Sequence, residues 1–258
     1  MIPIALYDCL TIEPAAKMVF ESNVPELQSN RTNLIIRAVE AFQKLSGNPQ
    51  DYRIVLEKNI PIGAGLGGGS SNAAATLRLL NRMAGDPISP QALSGVAAEL
   101  GSDVAFFVEA RSAWCTGRGE KMELRDFPED RWLCLAKPGF AVPTAWAYAT
   151  HTKLPEQRKR GEPAATVWGS LRNDLEPAVF TKYLLLAEIK RWFQQQAETE
   201  ITLMSGSGST TFAVTGSSAS ANSLRVRFAA EFGENFWTFV GQLNPSSCLA
   251  IAEDAKSA

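Results

Sequence analysis

The 258-residue sequence predicts an α+β fold in two lobes. Three observations predict it. Strand-like and helical periodicities alternate along the chain, glycine-rich turns punctuate them, and no internal repeat or low-complexity tract interrupts the pattern. Leu10-Thr11-Ile12 reads as a short strand. Thr32 or Asn33 can cap a helix whose apolar residues Ile35, Ile36, Val39, Phe42 and Leu45 follow helical spacing until Gly47 stops it. Tyr52 to Leu56 alternates as a strand does. A glycine-rich loop follows, then an Ala- and Leu-rich helix from about Asn72 to Met83. Ser89 and Pro90 form a cap and first-turn pair for a helix that ends at Gly101.

Further strands are expected at 104–108 (Val-Ala-Phe-Phe-Val), 113–115 and 132–136, and Pro138-Gly139 signals a turn. A long amphipathic helix spans about 182–196, with Leu185, Ile189, Trp192 and Phe193 on one face. Strands at 201–204 and 211–214 flank a small Gly/Ser turn, and a helix at 223–232 leads to a last strand at 236–240. The lobe boundary is expected near residues 126–140, dividing the chain into 1–127 and 128–258.

Composition excludes several classes. Nearly half the residues are hydrophobic, a fifth are charged and the net charge is -2, so no basic excess exists to hold nucleic acid or an anionic membrane nonspecifically. The basic run Arg158-Lys159-Arg160 sits among Pro, Glu and Gln and reads as a solvated loop. Cys9, Cys115, Cys134 and Cys248 are scattered, without a C-x-x-C pair or a neighbouring histidine. That pattern argues against a zinc site and against a disulfide framework. The start lacks a basic n-region and meets Asp8 early, and no apolar run is long enough to span a bilayer. The expectation is a soluble, cytoplasmic protein; the sequence does not reveal an oligomeric state.

The most informative segment is Pro61-Ile62-Gly63-Ala64-Gly65-Leu66-Gly67-Gly68-Gly69-Ser70-Ser71-Asn72. Glycines this dense let the backbone turn freely and bring N–H groups close to a ligand. The helix behind them directs its positive dipole end to the same place, which suits phosphate. Three readings compete. A merely flexible turn is disfavoured by the entropy cost of five glycines before a helix. Gly63, Gly65 and Gly68 also spell a dinucleotide fingerprint, but that needs a strand running into the first glycine and an acid ending the next strand. Here Glu57-Lys58-Asn59 and Pro61 intervene, and Asp86 lies before Pro87 in an expected loop. A nucleotide-phosphate loop fits better, although no G-K-[ST] follows to make a Walker A loop.

Two further sites stand out. Gly101-Ser102-Asp103 places a carboxylate between a helix end and the expected strand at 104–108. Phosphorylating an alcohol needs an acceptor for the hydroxyl proton, and Asp103 can serve, or it can simply cap a turn. Met204-Ser205-Gly206-Ser207-Gly208-Ser209-Thr210 lies between two strands. Alone it reads as a flexible hairpin tip; beside a phosphate loop it is a second N–H-rich anion turn.

The run from Pro61 to Ser71, with Asn72-Ala73-Ala74 behind it, resembles the phosphate loop of the GHMP small-molecule kinases. It is most similar to the branch that acts on 4-diphosphocytidyl-2-C-methyl-D-erythritol. Gly101-Ser102-Asp103-Val104-Ala105-Phe106-Phe107 resembles that family's catalytic-aspartate motif, with Ala105 where proline is usual. Residues 204–209 resemble its third motif, with Ser209 in place of alanine. Weaker matches at Trp114–Glu120, Pro143-Thr144 with Tyr148, and Asn173-Asp174-Leu175-Glu176 extend the likeness over nearly the whole chain.

The resemblance implies a ribosomal-protein-S5-like ATP-binding lobe at 1–127 and a ferredoxin-like lobe at 128–258. It implies ATP with Mg2+ at loop 61–71, Asn33 and Lys58 near the adenine nucleotide, and Asp103 orienting the acceptor's 2-hydroxyl. Arg118, Pro143, Thr144, Gly206, Ser207 and Gly208 would lie near the substrate. The implied pathway is non-mevalonate isoprenoid (terpenoid) precursor synthesis. Taken alone, Lys58 is equally a surface lysine at a strand end, and Ser70 and Ser71 remain alternative magnesium contacts.

The family's opening strand carries a lysine that partners the aspartate, and its next turn a tyrosine and histidine for the cytosine; neither motif occurs here. The expectation is a chain that begins just downstream of that pair, through a misplaced start, a truncation or a true loss. Such a loss would cost about 10²–10³ in rate and leave a sheet edge open. Two rivals follow: another GHMP kinase acting on homoserine, mevalonate or a sugar, and a nucleotide-binding relative without catalysis.

Overall fold

The computed structural model describes residues 1–116, 121–127, 130–166 and 169–245. They divide into two units. Met1–Ile60 and Gly67–Asp126 make the body of the first, and Pro61–Leu66 with Phe127–Asn244 make the second.

The first unit is built on a three-stranded sheet in the order β1-β3-β2. β1 (Cys9–Ala15) runs antiparallel to β3 (Asp51–Glu57), with Ile12 opposite Ile54. β2 (Val19–Ser22) runs parallel to β3 on its other side. Alternation along β3 sets its two faces: Tyr52, Ile54 and Leu56 are buried, while Arg53 points outward and pairs with Glu21 at 2.9 Å. Four helices cover the buried face: α1 (Leu34–Ser46), α2 (Gly68–Met83), α3 (Pro90–Leu100) and α4 (Ser102–Glu109). α1 begins at Asn33, whose side chain accepts the Ile35 N–H, and ends at Gly47 in the left-handed region. Ser89 caps α3 through the Ala92 N–H, with Pro90 as its first residue. A two-stranded ribbon, β4 (Ala113–Thr116) and β5 (Lys121–Leu124), follows.

The second unit contains a four-stranded antiparallel sheet ordered β11-β6-β10-β9, from β6 (Trp132–Lys137), β9 (Ile201–Met204), β10 (Thr211–Thr215) and β11 (Trp237–Gln242). α7 (Leu184–Gln194) and α8 (Ser218–Phe232) pack on it around Ile189, Phe193, Leu224 and Phe228. Phe193 stacks on Phe228 with centroids 5.5 Å apart, and Trp192 meets the same ring edge-on. The remaining elements are α5 (Thr144–Lys153), a single 3-10 turn at Glu156–Arg158, the short ribbon β7 (Ala164–Thr166) and β8 (Gly169–Leu171), and α6 (Glu176–Val179).

Three expectations are corrected. The segment 104–108, expected as a strand, is the body of α4. A short apolar run has no periodicity to separate strand from helix. Burial of Val104, Ala105 and Phe106 in the core with α2 and α3 decides for the helix. α2 starts at Gly68 rather than Asn72, and α8 at Ser218 rather than 223, because glycine and serine runs read locally as loop. Among the described residues, no helix is long and apolar enough to cross a membrane.

Candidate functional site

In the first unit the candidate centre is the start of α2. Gly67 occupies the N-cap position at φ 68° and offers no side-chain cap, and the first turn holds no acid. The first N–H groups of the helix therefore lack intrahelical partners, which is the arrangement that suits an anion. The turn closes on itself through Ser71 N–H to Gly67 O at 2.8 Å and Ser71 Oγ to Gly68 O at 2.9 Å. Ser70 makes no side-chain hydrogen bond among the described residues.

Gly67 cannot be another residue cheaply: a Cβ there would lie 2.6 Å from the Phe107 ring. Phe107 belongs to α4 and stands four residues after Asp103, so the two side chains share one helix face. That face is the one that meets Gly67. The acid thus stands in the first turn of α4, not at a helix–strand junction. Burial around Asp103 raises its pKa above the usual value, and the nearby Met1 ammonium partly opposes this. The residue itself keeps solvent access.

Lys58 turns inward. Its ammonium pairs with Asp8 at 2.6 Å and donates to Ile60 O at 2.6 Å, with the Lys58 and Asp8 side chains only 5% and 2% exposed. Asp8 also accepts the N–H groups of Asn59 and Ile60 at 2.7 and 2.8 Å. Burial pushes the Lys58 ammonium down, and Asp8 partly restores it. A Cβ on Gly68 would sit 2.8 Å from Lys58 Nζ, so the pair underlies the start of α2. Asn33 spends its carboxamide on capping α1 and on Gln28 O at 3.2 Å. It too lies near α2, since its neighbour Leu34 would touch a Cβ on Gly69 at 3.7 Å.

In the second unit the turn 205–210 joins β9 to β10, as a hairpin whose tip is held rather than loose. Ser205 N–H donates to Thr210 O and Gly208 N–H to Ser205 O, both at 2.8 Å. The segment 61–66 packs on this turn: Ser205 Oγ donates to Gly65 O at 2.9 Å and Thr210 N–H to Ala64 O at 3.1 Å. Gly65 sits at φ 73°, and a Cβ would fall 2.3 Å from Ser205 O and 2.8 Å from Gly208 O. Pro143 precedes α5, and Thr144 Oγ1 shares a hydrogen bond with Ser207 Oγ at 2.9 Å. Pro143, Thr144 and residues 206–208 are therefore brought together, with Pro61 to Leu66 beside them. Arg118 lies outside the described residues.

Sequence reasoning passed over the groups that support these turns. Asp8 lies 50 residues from Lys58 in the chain, with no local signal to link them. Glu176 is buried, pairs with Lys190 at 2.7 Å, and accepts the Met204 N–H at 2.8 Å. Burial raises the Glu176 carboxyl, while Lys190 and the Met204 N–H pull it back. Asn173 was visible only as part of a four-residue match; its side chain reaches the carbonyls of Met204 and Gly206.

Comparison with known proteins agrees with this geometry. The family described as GHMP kinases N terminal domain matches residues 33–111. A 4-diphosphocytidyl-2-C-methyl-D-erythritol kinase of Methylacidiphilum infernorum is 42% identical over 217 residues, which is 83% of this chain and 76% of the relative. One of Thermodesulfovibrio yellowstonii is 32% identical over 253 residues, covering 93% and 86%. The crystal structure of a 4-(cytidine 5'-diphospho)-2C-methyl-D-erythritol kinase superposes with a TM-score of 0.75 at 30% identity, over 95% of this chain and 89% of that one.

Proposed function

The chain belongs to the GHMP kinases, in the branch of the 4-diphosphocytidyl-2-C-methyl-D-erythritol kinases, and on that premise we propose that it transfers the γ-phosphate of ATP to the 2-hydroxyl of that diphosphocytidyl alcohol. The observation that carries the reading is the shared face of α4. Asp103 and Phe107 occupy one side of the helix, and Phe107 lies against Gly67 at the open start of α2. An acid is thereby aligned with a set of unpaired N–H donors, which is what phosphoryl transfer to an alcohol requires.

In this reading the ATP phosphates lie along 61–71. The N–H groups at the start of α2 neutralise charge as it develops on the transferred group. Asp103 accepts the hydrogen bond of the acceptor hydroxyl, orients it and takes its proton. Burial raises its pKa, which makes it a stronger proton acceptor. Asn33 and Lys58 stand on the nucleotide side; the pairing of Lys58 with Asp8 supports a role in shaping the loop. Arg118, Pro143, Thr144 and residues 206–208 are assigned to the acceptor. The N-terminal domain 1–127 then carries the nucleotide and 128–258 is the C-terminal domain.

GHMP kinases use ATP, and the reading includes Mg2+. Among the described residues no cluster of three His, Cys, Asp or Glu side chains is arranged for a metal. That fits magnesium held mainly by phosphate oxygens and water. The hydroxyl of Ser70, unengaged in the first turn of α2, suits the ion better than Ser71, whose hydroxyl is bonded to Gly68 O. When bound, the ion neutralises phosphate charge.

The test is ATP- and magnesium-dependent phosphorylation of 4-diphosphocytidyl-2-C-methyl-D-erythritol by this chain and by Asp103→Asn. The expected result is turnover that the substitution lowers by about 10²–10⁴ with ATP affinity retained. A folded, ATP-binding chain that leaves this alcohol untouched overturns the acceptor assignment.

A further inference from the structure

The Gly206–Ser207 peptide of the turn 205–209 takes its orientation from a side chain beneath it. Asn173 Nδ2 donates both of its hydrogens, one to Met204 O and one to Gly206 O, each at 2.7 Å. Its Oδ1 accepts the Leu175 N–H at 2.9 Å, so the carboxamide is fixed at both ends. In a planar trans peptide the carbonyl and the next N–H point in opposite directions. Holding Gly206 O toward Asn173 therefore aims the Ser207 N–H away from it. That N–H has no acceptor among the described residues.

The strand that delivers the turn is anchored alongside. Glu176 accepts the Met204 N–H at 2.8 Å and is held by Lys190 at 2.7 Å, all of it buried. Gly206 sits at φ 54°, a conformation from which a glycine peptide rotates readily when nothing restrains it. Among the described residues, the one side chain that restrains the 206–207 peptide through its carbonyl is Asn173.

We infer that Asn173 is a positioning residue that sets the orientation of the Gly206–Ser207 peptide, so that the Ser207 N–H receives the diphosphate of the acceptor. The inference rests on the kinase reading above and deepens it. Asn173 touches no substrate in this account. It acts directly on the Met204 and Gly206 carbonyls, and reaches the segment 61–66 at one remove, through a turn that bonds Gly65 and Ala64 and packs Gly206 against Gly65. The acceptor side should therefore suffer more than the nucleotide side when Asn173 changes.

Asn173→Asp is the decisive variant. It is isosteric, retains the acceptor for the Leu175 N–H, and replaces the two donors with an oxygen that repels both carbonyls. Asn173→Ala removes the donors without repulsion, and Asn222→Asp, on the exposed face of α8, is the control. The measurements are the calorimetric affinity for cytidine diphosphate, KM for acceptor and for ATP, kcat, and melting temperature. We expect Asn173→Asp to weaken cytidine diphosphate binding and raise acceptor KM by about tenfold or more. The ATP KM should rise only about twofold to threefold by the same scale, and Asn173→Ala should fall between wild type and Asn173→Asp.

A purely structural role would lower the melting temperature and the active fraction while leaving both affinities unchanged, and that outcome overturns the inference. So does a wild-type chain that does not bind cytidine diphosphate. If the wild type binds it but does not turn over, the kinase reading fails separately, and the affinity ratio between Asn173→Asp and wild type still decides the role of Asn173.

Discussion

The two glycine-rich turns look alike as strings of letters and are built on different principles. The one at 67–71 opens a helix. Its donors are free because a helix start has no partners for them, and the glycines make room for Phe107 and Lys58. The one at 205–210 joins two strands and has no helix to orient its peptides. Side chains do that work instead: Asn173 holds two carbonyls, and the Glu176–Lys190 pair holds the strand that leads in. A glycine-rich turn on a helix is thus set by backbone geometry, whereas one on a hairpin depends on buried polar groups elsewhere in the chain.

This difference is open to test, starting with the largest effect. Glu176→Ala should cost about 3–5 kcal/mol in urea unfolding, because it leaves the buried Lys190 without its main partner. A loss under about 1 kcal/mol, the range of an exposed pair, would show that the strand into the second turn needs no charged anchor.

Gly65→Ala should cost about 2–3 kcal/mol, since its Cβ meets backbone oxygens at 2.3 and 2.8 Å that cannot step aside. Gly67→Ala has the same left-handed φ but meets only the end of a phenylalanine ring, so about 1–2 kcal/mol is expected. Equal losses at the two positions would remove the distinction between backbone and side-chain contacts.

The smallest expected effect on stability is at Asp103. Its folded pKa lies above its unfolded value, so the folded state binds the proton more tightly. Its contribution to stability is present below the unfolded pKa and is lost as pH rises through the folded one. At neutral pH the ionised group is a slight burden. Asp103→Asn should therefore leave the melting temperature at pH 7 unchanged or slightly raised, even as turnover collapses. In the wild type, kcat should fall as pH drops through the raised pKa, because a protonated acid accepts nothing. A melting temperature lowered by several degrees would mean that Asp103 holds the fold rather than the reaction.

Much of this was legible in the residues. Asn33, Gly47, Ser89 and Pro90 act within one helical turn of themselves, so their spacing alone predicted the ends of α1 and the start of α3. The loop 61–71 was legible because its glycines and the helix behind it are contiguous. The alternation in β3 likewise matches the burial of Tyr52, Ile54 and Leu56. Other features had no local signature. The run Val-Ala-Phe-Phe-Val has strand-forming residues and is a helix because it packs into a core with α2 and α3.

By itself, then, the sequence determined what is encoded over a few neighbouring residues: the caps, the strand periodicity, the glycine-rich loop before a helix and the presence of an acid at 103. Only the tertiary structure decided that this acid shares a helix face with the residue against Gly67, that Lys58 turns inward to Asp8, and that Asn173 governs a turn 31 residues away. The physical reason is range. Dihedral preferences and capping bonds act between neighbours, whereas the orientation of a peptide or the burial of a charge depends on partners the chain supplies only once it has folded.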